Sequence, residues 1–322
     1  MPKLSVIIPV FNTEKYIKKC ADSLFEQKMT DVEYIFVDDC SSDRSIEVVK
    51  ESTKSHPSIE GQVKFLKMDH NSGSVSTRIE GLKQATGDYV IFCDSDDWIE
   101  PDMYSLLYNK AVTDDLDIVI GSYRECKGKS HTFRRQLVSD KSDLISSLLS
   151  YRLSPSMCIK MIKRDLWNQN ITAPSACMGE DSVFSLQILM ASQNTGFEPD
   201  AIYNYHINPS GMCQSLAKEK ILRRYNGAVS NTEQILEILI NNNLLNRYKK
   251  EIDVLKARHR DYLLPLIGDS HYFKMWHNTF SEINFRLLFN KYMPLKLKIR
   301  YLLAILRIYP LIKKIRIKFD VI

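Results

Sequence analysis

Four short β-branched runs, Leu4–Val10, Glu33–Val37, Val63–Met68 and Tyr89–Cys93, begin 29, 30 and 26 residues apart, and a fifth follows at Asp117–Ile120. Stretches of helical periodicity fill the gaps: Glu14–Gln27, Asp43–Ser55, Val75–Ala85 and Pro101–Val112. Strands and helices alternating at this spacing read as right-handed βαβ units, hence an α/β fold with a mainly parallel sheet flanked by helices. Ser42 is placed to cap the second helix, and Pro101 suits the first turn of the fourth. After Gly121 the rhythm loosens. Lys127–Arg135 is polar and basic, a surface loop or short strand; Lys141–Leu149 and Asp181–Ser192 look helical, and Ala201–His206 looks like a strand. Strand signals cease near residue 217, so the expected organisation is an α/β domain over 1–217, a helical region over 218–292 and a tail over 293–322.

Composition narrows the class. A chain of 322 residues that is 44% apolar can bury a large core, and its eleven glycines and eleven prolines fall in no biased tract. The seven cysteines (20, 40, 93, 126, 158, 177 and 213) are scattered without a CxxC pair, which argues against a disulfide framework or a cysteine zinc site. The apolar stretch Leu4–Val10 is too short for a signal peptide, and no segment offers the roughly 18 apolar residues of a membrane-spanning helix. The expectation is a cytoplasmic protein. From Lys291 onward nine basic residues face one acid, a net +8, which leaves −3 for the first 290 residues of a chain carrying +5. Basicity confined to the tail argues against a nucleic-acid partner.

In an open parallel sheet, ligands bind outside the carboxyl ends of the strands. The residues that follow the runs are Phe11-Asn12-Thr13, Asp38-Asp39, His70-Asn71 and Asp94-Ser95-Asp96-Asp97. Five carboxylates thus converge on one rim, where turns and helix caps account for only one or two. Like charges held together raise one another's pKa, so such a group suits a cation or a hydrogen-bonding ligand. The chain has neither GxGxxG after the first strand nor GxxxxGK[ST] anywhere. A diphosphate bound here needs another source of positive charge, and Mg²⁺ or Mn²⁺ held by Asp94-Ser95-Asp96 is of the right chemical type.

Pro9-Val10-Phe11-Asn12, Val37-Asp38-Asp39, Asn71-Ser72-Gly73 with Arg78, Gly87-Asp88-Tyr89 and Asp94-Ser95-Asp96-Asp97 stand in an order and spacing that resembles family 2 glycosyltransferases. Lys160-Met161-Ile162-Lys163-Arg164, Gly179-Glu180-Asp181-Ser182-Val183-Phe184 and Tyr203–Ser210 are similar to that family's later blocks. The resemblance covers roughly residues 3–215. It implies a GT-A fold and inverting transfer of a sugar from a nucleotide donor, usually a UDP-sugar, to an acceptor hydroxyl of a carbohydrate or lipid-linked glycan. By the same resemblance Pro9, Phe11, Asn12 and Asp39 line the base and ribose pocket, with Asn71, Ser95 and Glu180 also on the donor. Arg78 lies near the base or diphosphate, Asp94 near the ribose or metal, Asp96 on a Mn²⁺ or Mg²⁺ ion, and Asp181 is the general base.

Inverting displacement calls for such groups: a base opposite the leaving group and stabilisation of the departing diphosphate. Glu180 and Asp181 also precede a helical pattern, where acids serve equally as caps. Four positions depart from the family pattern. Cys40 replaces a Gly after the Asp pair, Phe11 replaces a Tyr, and Ile79 stands where Asn follows the Arg. His206 replaces an Arg, where it can contact the diphosphate or metal or serve only structure. Two other functions compete: a non-catalytic glycan- or nucleotide-binding module, and an Asp-dependent phosphohydrolase, which wants its DxD after the first strand.

The tail carries no family motif. Pro294 can open a helix in which Leu295, Ile299, Leu302 and Leu306 form one apolar stripe, with Lys296, Arg300 and Arg307 on a separate line. A basic amphipathic segment of this kind, residues 293–322, suits an anionic membrane surface and peripheral attachment at the cytoplasmic face; the competing expectation docks the stripe on the protein's own helices.

Overall fold

The computed structural model describes residues 2–136, 143–208, 211 and 214–310. Contacts divide the chain into two compact units. One comprises residues 1–139, 155–173 and 184–208; the other comprises 140–154, 174–183 and 209–322.

The first unit holds every strand found among the described residues. β1 (Leu4–Val10) pairs in parallel with β2 (Val32–Asp38) and β4 (Tyr89–Phe92), and β2 pairs in parallel with β3 (Val63–Lys67). These are the four runs expected from the spacing. β1, β2 and β4 are buried almost throughout, the pattern of strands covered on both faces, and each large aliphatic side chain taken from water contributes about 1.5–3 kcal/mol. α1 (Ile17–Phe25) packs on α2 (Ser45–Ser55), while α3 (Gly73–Gln84) packs on β1 and β2. Gly81 lets α3 approach closely, since a Cβ there would fall 2.4 Å from Ile7 Cγ2.

The second half of the sheet mixes directions. β6 (Ile118–Lys127), the fifth run, does not pair with β4; β8 (Lys160–Lys163) lies between them, antiparallel to both. β9 (Thr195–His206) runs parallel to β6 on its other side and carries the two-residue β5 (Trp98–Ile99). Lys127–Arg135 resolves into β7 (Ser130–Arg134), which folds back on β6 as a hairpin. α4 (Met103–Thr113) packs against β6 and β9. Ser42 and Pro101 do not serve as expected: α2 begins at Ser45 behind Arg44, and α4 begins at Met103.

The second unit contains α5 (Leu144–Leu149), the start of α6 (Glu180–Ala191), α7 (Lys218–Asn241), α8 (Lys249–Arg260), α9 (Ser270–Asn278) and α10 (Leu295–Ile305). Its core gathers Ile221, Tyr225, Leu263, Trp276, Leu287 and Tyr301. Arg260 is fully buried against the Trp276 and Tyr301 rings and donates to Asn284 Oδ1 at 2.7 Å. α10 turns Tyr301 and Ala304 into this core. The expected stripe faces the other way: Leu295, Ile299, Leu302 and Leu306 are all exposed. Arg300 pairs with Asp261 at 2.6 Å, so that cation is spent inside the fold. The rest of the tail, including Leu311–Phe319, lies outside the described residues.

Candidate functional site

Parallel pairing of β1 with both β2 and β4 sets their carboxyl ends side by side, and the segments that leave them meet. Near the end of β1, Pro9 is half-buried; past the strand, Phe11 is exposed and Asn12 takes a left-handed φ of 52°. Its Oδ1 accepts from the Ser42 amide at 2.8 Å, which ties this loop to the one after β2. Asp39 is buried, with one carboxylate oxygen accepting from Ser72 N at 2.7 Å and the other from Gly73 N at 2.8 Å. It therefore holds the start of α3. Asn71 reaches the Asp39 carbonyl at 3.4 Å. Cys40, at the family's Gly position, adopts φ 60°, the conformation for which Gly is otherwise chosen, while its Sγ donates to Met68 O.

The four residues after β4 divide by environment. Arg78 Nη2 from α3 donates to Asp94 Oδ1 at 2.9 Å. Ser95 is buried and its hydroxyl meets Thr13 Oγ1 at 3.1 Å. Asp97 is also buried: the Tyr203 hydroxyl and the His206 amide each donate to it at 2.6 Å. Burial first, then the charges of Asp96 and Asp94, push its carboxyl well above the usual range. Asp96 is raised by burial and by Asp94, against the opposing pull of Asn208 and His206.

Asp96 opens into a pocket of about 280 Å³ whose other walls include Lys15, Tyr16, Lys19, Trp98 and His206. The His206 ring lies 4.9 Å from that of Tyr16, and Lys19 Nζ sits over the Trp98 ring. Sequence reasoning missed Lys15, Tyr16, Lys19 and Asn208. A usable signal existed for the first three, because the segment entering the first helix starts at the same sheet edge as Phe11 and Asn12. Among the described residues no group of three or more His, Cys, Asp and Glu is arranged to hold a metal ion.

Glu180 and Asp181 belong to the second unit, in the first turn of α6, both half-buried. Gly179 ahead of them has φ 80°, and its carbonyl accepts from Ser182 N at 3.1 Å. The rim residues of the first unit are thus brought together, and the acidic pair stands at a helix start as its local pattern required. Pro209 and Ser210, the end of the last resembling block, lie outside the described residues.

A sheet edge with buried carboxylates and flanking cations defines an α/β protein built to hold a polar, charged ligand at its strand ends. The chain belongs to glycosyl transferase family 2, whose model matches residues 5–185. It is 28% identical over 223 residues to glycosyltransferase GlyA of Streptococcus pneumoniae, an alignment covering 65% of this chain and 31% of that protein. It is 34% identical over 218 residues to the poly(ribitol-phosphate) beta-N-acetylglucosaminyltransferase TarP of Staphylococcus aureus, covering 64% of this chain and 63% of TarP. The chain therefore spans about a third of the first relative and less than two thirds of the second. The crystal structure of residues 1–349 of S. aureus TarS in complex with UDP-GlcNAc superposes with a TM-score of 0.67 at 20% identity, over 96% of this chain and 88% of that one. The likeness establishes the GT-A fold.

Proposed function

We propose that this chain is an inverting glycosyltransferase that moves a sugar from a UDP-sugar to an acceptor hydroxyl, in the assembly of a surface polysaccharide or related glycan. The observation that carries the reading is Asp96: a half-buried carboxylate that opens, with His206, into a pocket that also holds Lys15 and Lys19. A half-buried carboxylate with a raised pKa suits a cation, and the lysines suit the phosphate oxygens of a donor. Pro9, Phe11, Asn12, Asp39 and Asn71 take the base and ribose. Phe11 offers an exposed ring for stacking, and each Asp39 oxygen keeps a second lone pair for the base.

The donor set fits Mn²⁺ or Mg²⁺ as a partial site. Asp96 and His206 would supply two protein ligands, with Asp94 beside them on Arg78, which suits ions that keep one or two carboxylates and take the rest from substrate phosphates. When bound, such an ion stabilises the departing diphosphate as a Lewis acid. Arg78 orients Asp94, Ser95 steadies the loop through Thr13, and Glu180 contacts the donor. Asp181 removes the acceptor proton as the hydroxyl attacks the anomeric carbon.

We read the protein as cytoplasmic and peripheral, working on a carbohydrate or lipid-linked acceptor at an anionic membrane surface. No helix among the described residues is long and apolar enough to cross a membrane. The exposed stripe of α10 and the net charge of +8 from Lys291 onward support attachment instead.

The test is a panel of UDP-glucose, UDP-galactose, UDP-GlcNAc and UDP-GalNAc, read by thermal stabilisation and by UDP release with and without Mn²⁺. Stabilisation and metal-dependent UDP release with at least one donor are expected. Binding with no turnover on any acceptor would turn the reading to a binding module, and phosphate release from a simple phosphomonoester would turn it to a hydrolase.

A further inference from the structure

Behind the Gly179–Ser182 turn lies a buried set of polar side chains that the proposed chemistry does not use. Thr232 on α7 donates its hydroxyl hydrogen to the Ala228 carbonyl at 2.7 Å. That hydrogen being committed, the 2.6 Å contact between Thr232 Oγ1 and His259 Nδ1 requires the ring nitrogen to donate. His259 on α8 is therefore the Nδ1–H tautomer, and its Nε2 accepts from the Tyr151 hydroxyl at 2.7 Å. Tyr151 thus directs its own hydrogen at His259. Three hydrogen bonds run in one direction, from Tyr151 through His259 and Thr232 to a helix carbonyl. Burial holds His259 neutral, its pKa pushed down to about 4.

The same helices grip the backbone of the turn. Asn231, next to Thr232, donates through Nδ2 to the carbonyls of Ala176 and Met178, both at 2.8 Å. Gly179 rests on the imidazole: a Cβ there would stand 3.1 Å from His259 Cε1. A buried polar network is costly unless complete, and a complete one fixes orientation where apolar packing would allow several.

We infer that the Tyr151–His259–Thr232 chain, with Asn231 beside it and Gly179 resting on its imidazole, is a positioning device that sets the first turn of α6, and with it the carboxylate of Asp181. The inference rests on the reading of Asp181 as the base. It gives the helical region, which carries no family motif, a task in the reaction: α7 and α8 set the aim of a group they do not contain.

Thr232→Val keeps the shape of the side chain and removes the hydroxyl; Thr232→Ser keeps the hydroxyl. With the UDP-sugar from the panel that gives the fastest UDP release, Thr232→Val should lower kcat by about tenfold or more at a donor KM within about twofold, since a small misplacement of a reacting group is costly in rate alone. Thr232→Ser should restore most of it. Tyr151→Phe, which removes the hydrogen bond on the other side of the His259 ring, should act in the same sense and carries the test if Thr232→Val does not fold. Hydrogen–deuterium exchange of residues 176–186 should rise in both, a readout independent of donor identity. Combined with Asp181→Asn, Thr232→Val should add little further loss in kcat. A lowered Tm with kcat and exchange unchanged would make the chain structural only and overturn the inference. Full activity in Asp181→Asn alone would instead remove the base assignment beneath it.

Discussion

Arg78 and Asp94 close on each other at the carboxyl end of β4: the guanidinium Nη2 donates to Oδ1 at 2.9 Å, with Arg78 buried and 40% of the Asp94 side chain still in solvent. The acid is thus already answered by an internal cation, whereas Asp96 two residues on is crowded by burial and by Asp94 itself. The DSDD segment is therefore not four equivalent ligands. Asp94→Ala leaves the buried guanidinium without this partner. Because Asp94 is partly solvated, the cost should fall below that of a fully buried pair, at about 2 kcal/mol. Asp94→Asn retains an acceptor and should cost less. Urea midpoints at constant m would measure both.

Asp96 is the group on which metal dependence turns. Asp96→Asn should abolish Mn²⁺-dependent stabilisation by UDP and reduce turnover to the level seen in excess EDTA. The pH dependence has a definite sign. A carboxyl raised in the fold binds its proton more tightly there than in the unfolded chain, so ionising it costs stability as the pH rises through the folded value. A divalent ion relieves that cost only where Asp96 is ionised. Mn²⁺ with UDP should accordingly raise Tm more at neutral pH than at a pH acid enough to protonate Asp96. Equal shifts at both would place the ion elsewhere.

Asp181→Asn should leave donor binding close to wild type and lower kcat by about 10²–10⁴-fold, the usual contribution of a positioned proton acceptor. Reduced donor affinity with kcat preserved would move the base to Glu180.

The four strand runs, their parallel order and the gathering of residues 9–12, 38–39, 71 and 94–97 were legible because each depends on local periodicity and a regular spacing. The second half of the sheet was not, because β8 enters between β4 and β6 from a distant part of the chain and no local signal announces such an insertion. Counting carboxylates on the rim also overstated what is open to a ligand. Asp97 is enclosed by Tyr203 and the His206 amide, and Asp39 is engaged by the first turn of α3. Whether a rim acid caps, pairs or faces the pocket depends on partners remote in sequence. The amphipathic reading of the tail found the right spacing and left its orientation open. Tyr301 and Ala304, which a stripe of aliphatics does not include, are what α10 buries.

His259 gives the fold an acid sensitivity. Its pKa falls from 6.5 to about 4 on burial, so between those values the unfolded chain binds the extra proton. Stability should be complete above about pH 6.5 and decline as the pH falls toward 4, by roughly 3 kcal/mol in all. His259→Gln should flatten this window in denaturation curves while lowering stability at neutral pH.

The final prediction concerns the face that α10 leaves open. Leu295, Ile299, Leu302 and Leu306 recur at helical spacing and are 41–73% exposed, and Phe285 and Phe289 are exposed on the segment just before α10. Lys291, Lys296 and Arg307 are exposed as well. An apolar line beside cations, on a segment of net charge +8, complements an anionic bilayer better than a neutral one, each cation near it contributing on the order of 1 kcal/mol. Truncation at Tyr292 is a poor test, because it strips Tyr301 and Ala304 from the core of the helical unit. Ile299→Glu combined with Leu302→Glu changes only exposed positions and should cost little stability. The full-length protein should co-sediment with phosphatidylcholine vesicles containing phosphatidylglycerol, less with phosphatidylcholine alone, and less as salt is raised. The double variant should stay in the supernatant while releasing UDP at the wild-type rate. If the wild type ignores anionic vesicles and light scattering shows an oligomer that the double variant breaks, the stripe is a contact between copies of the chain and the membrane reading fails.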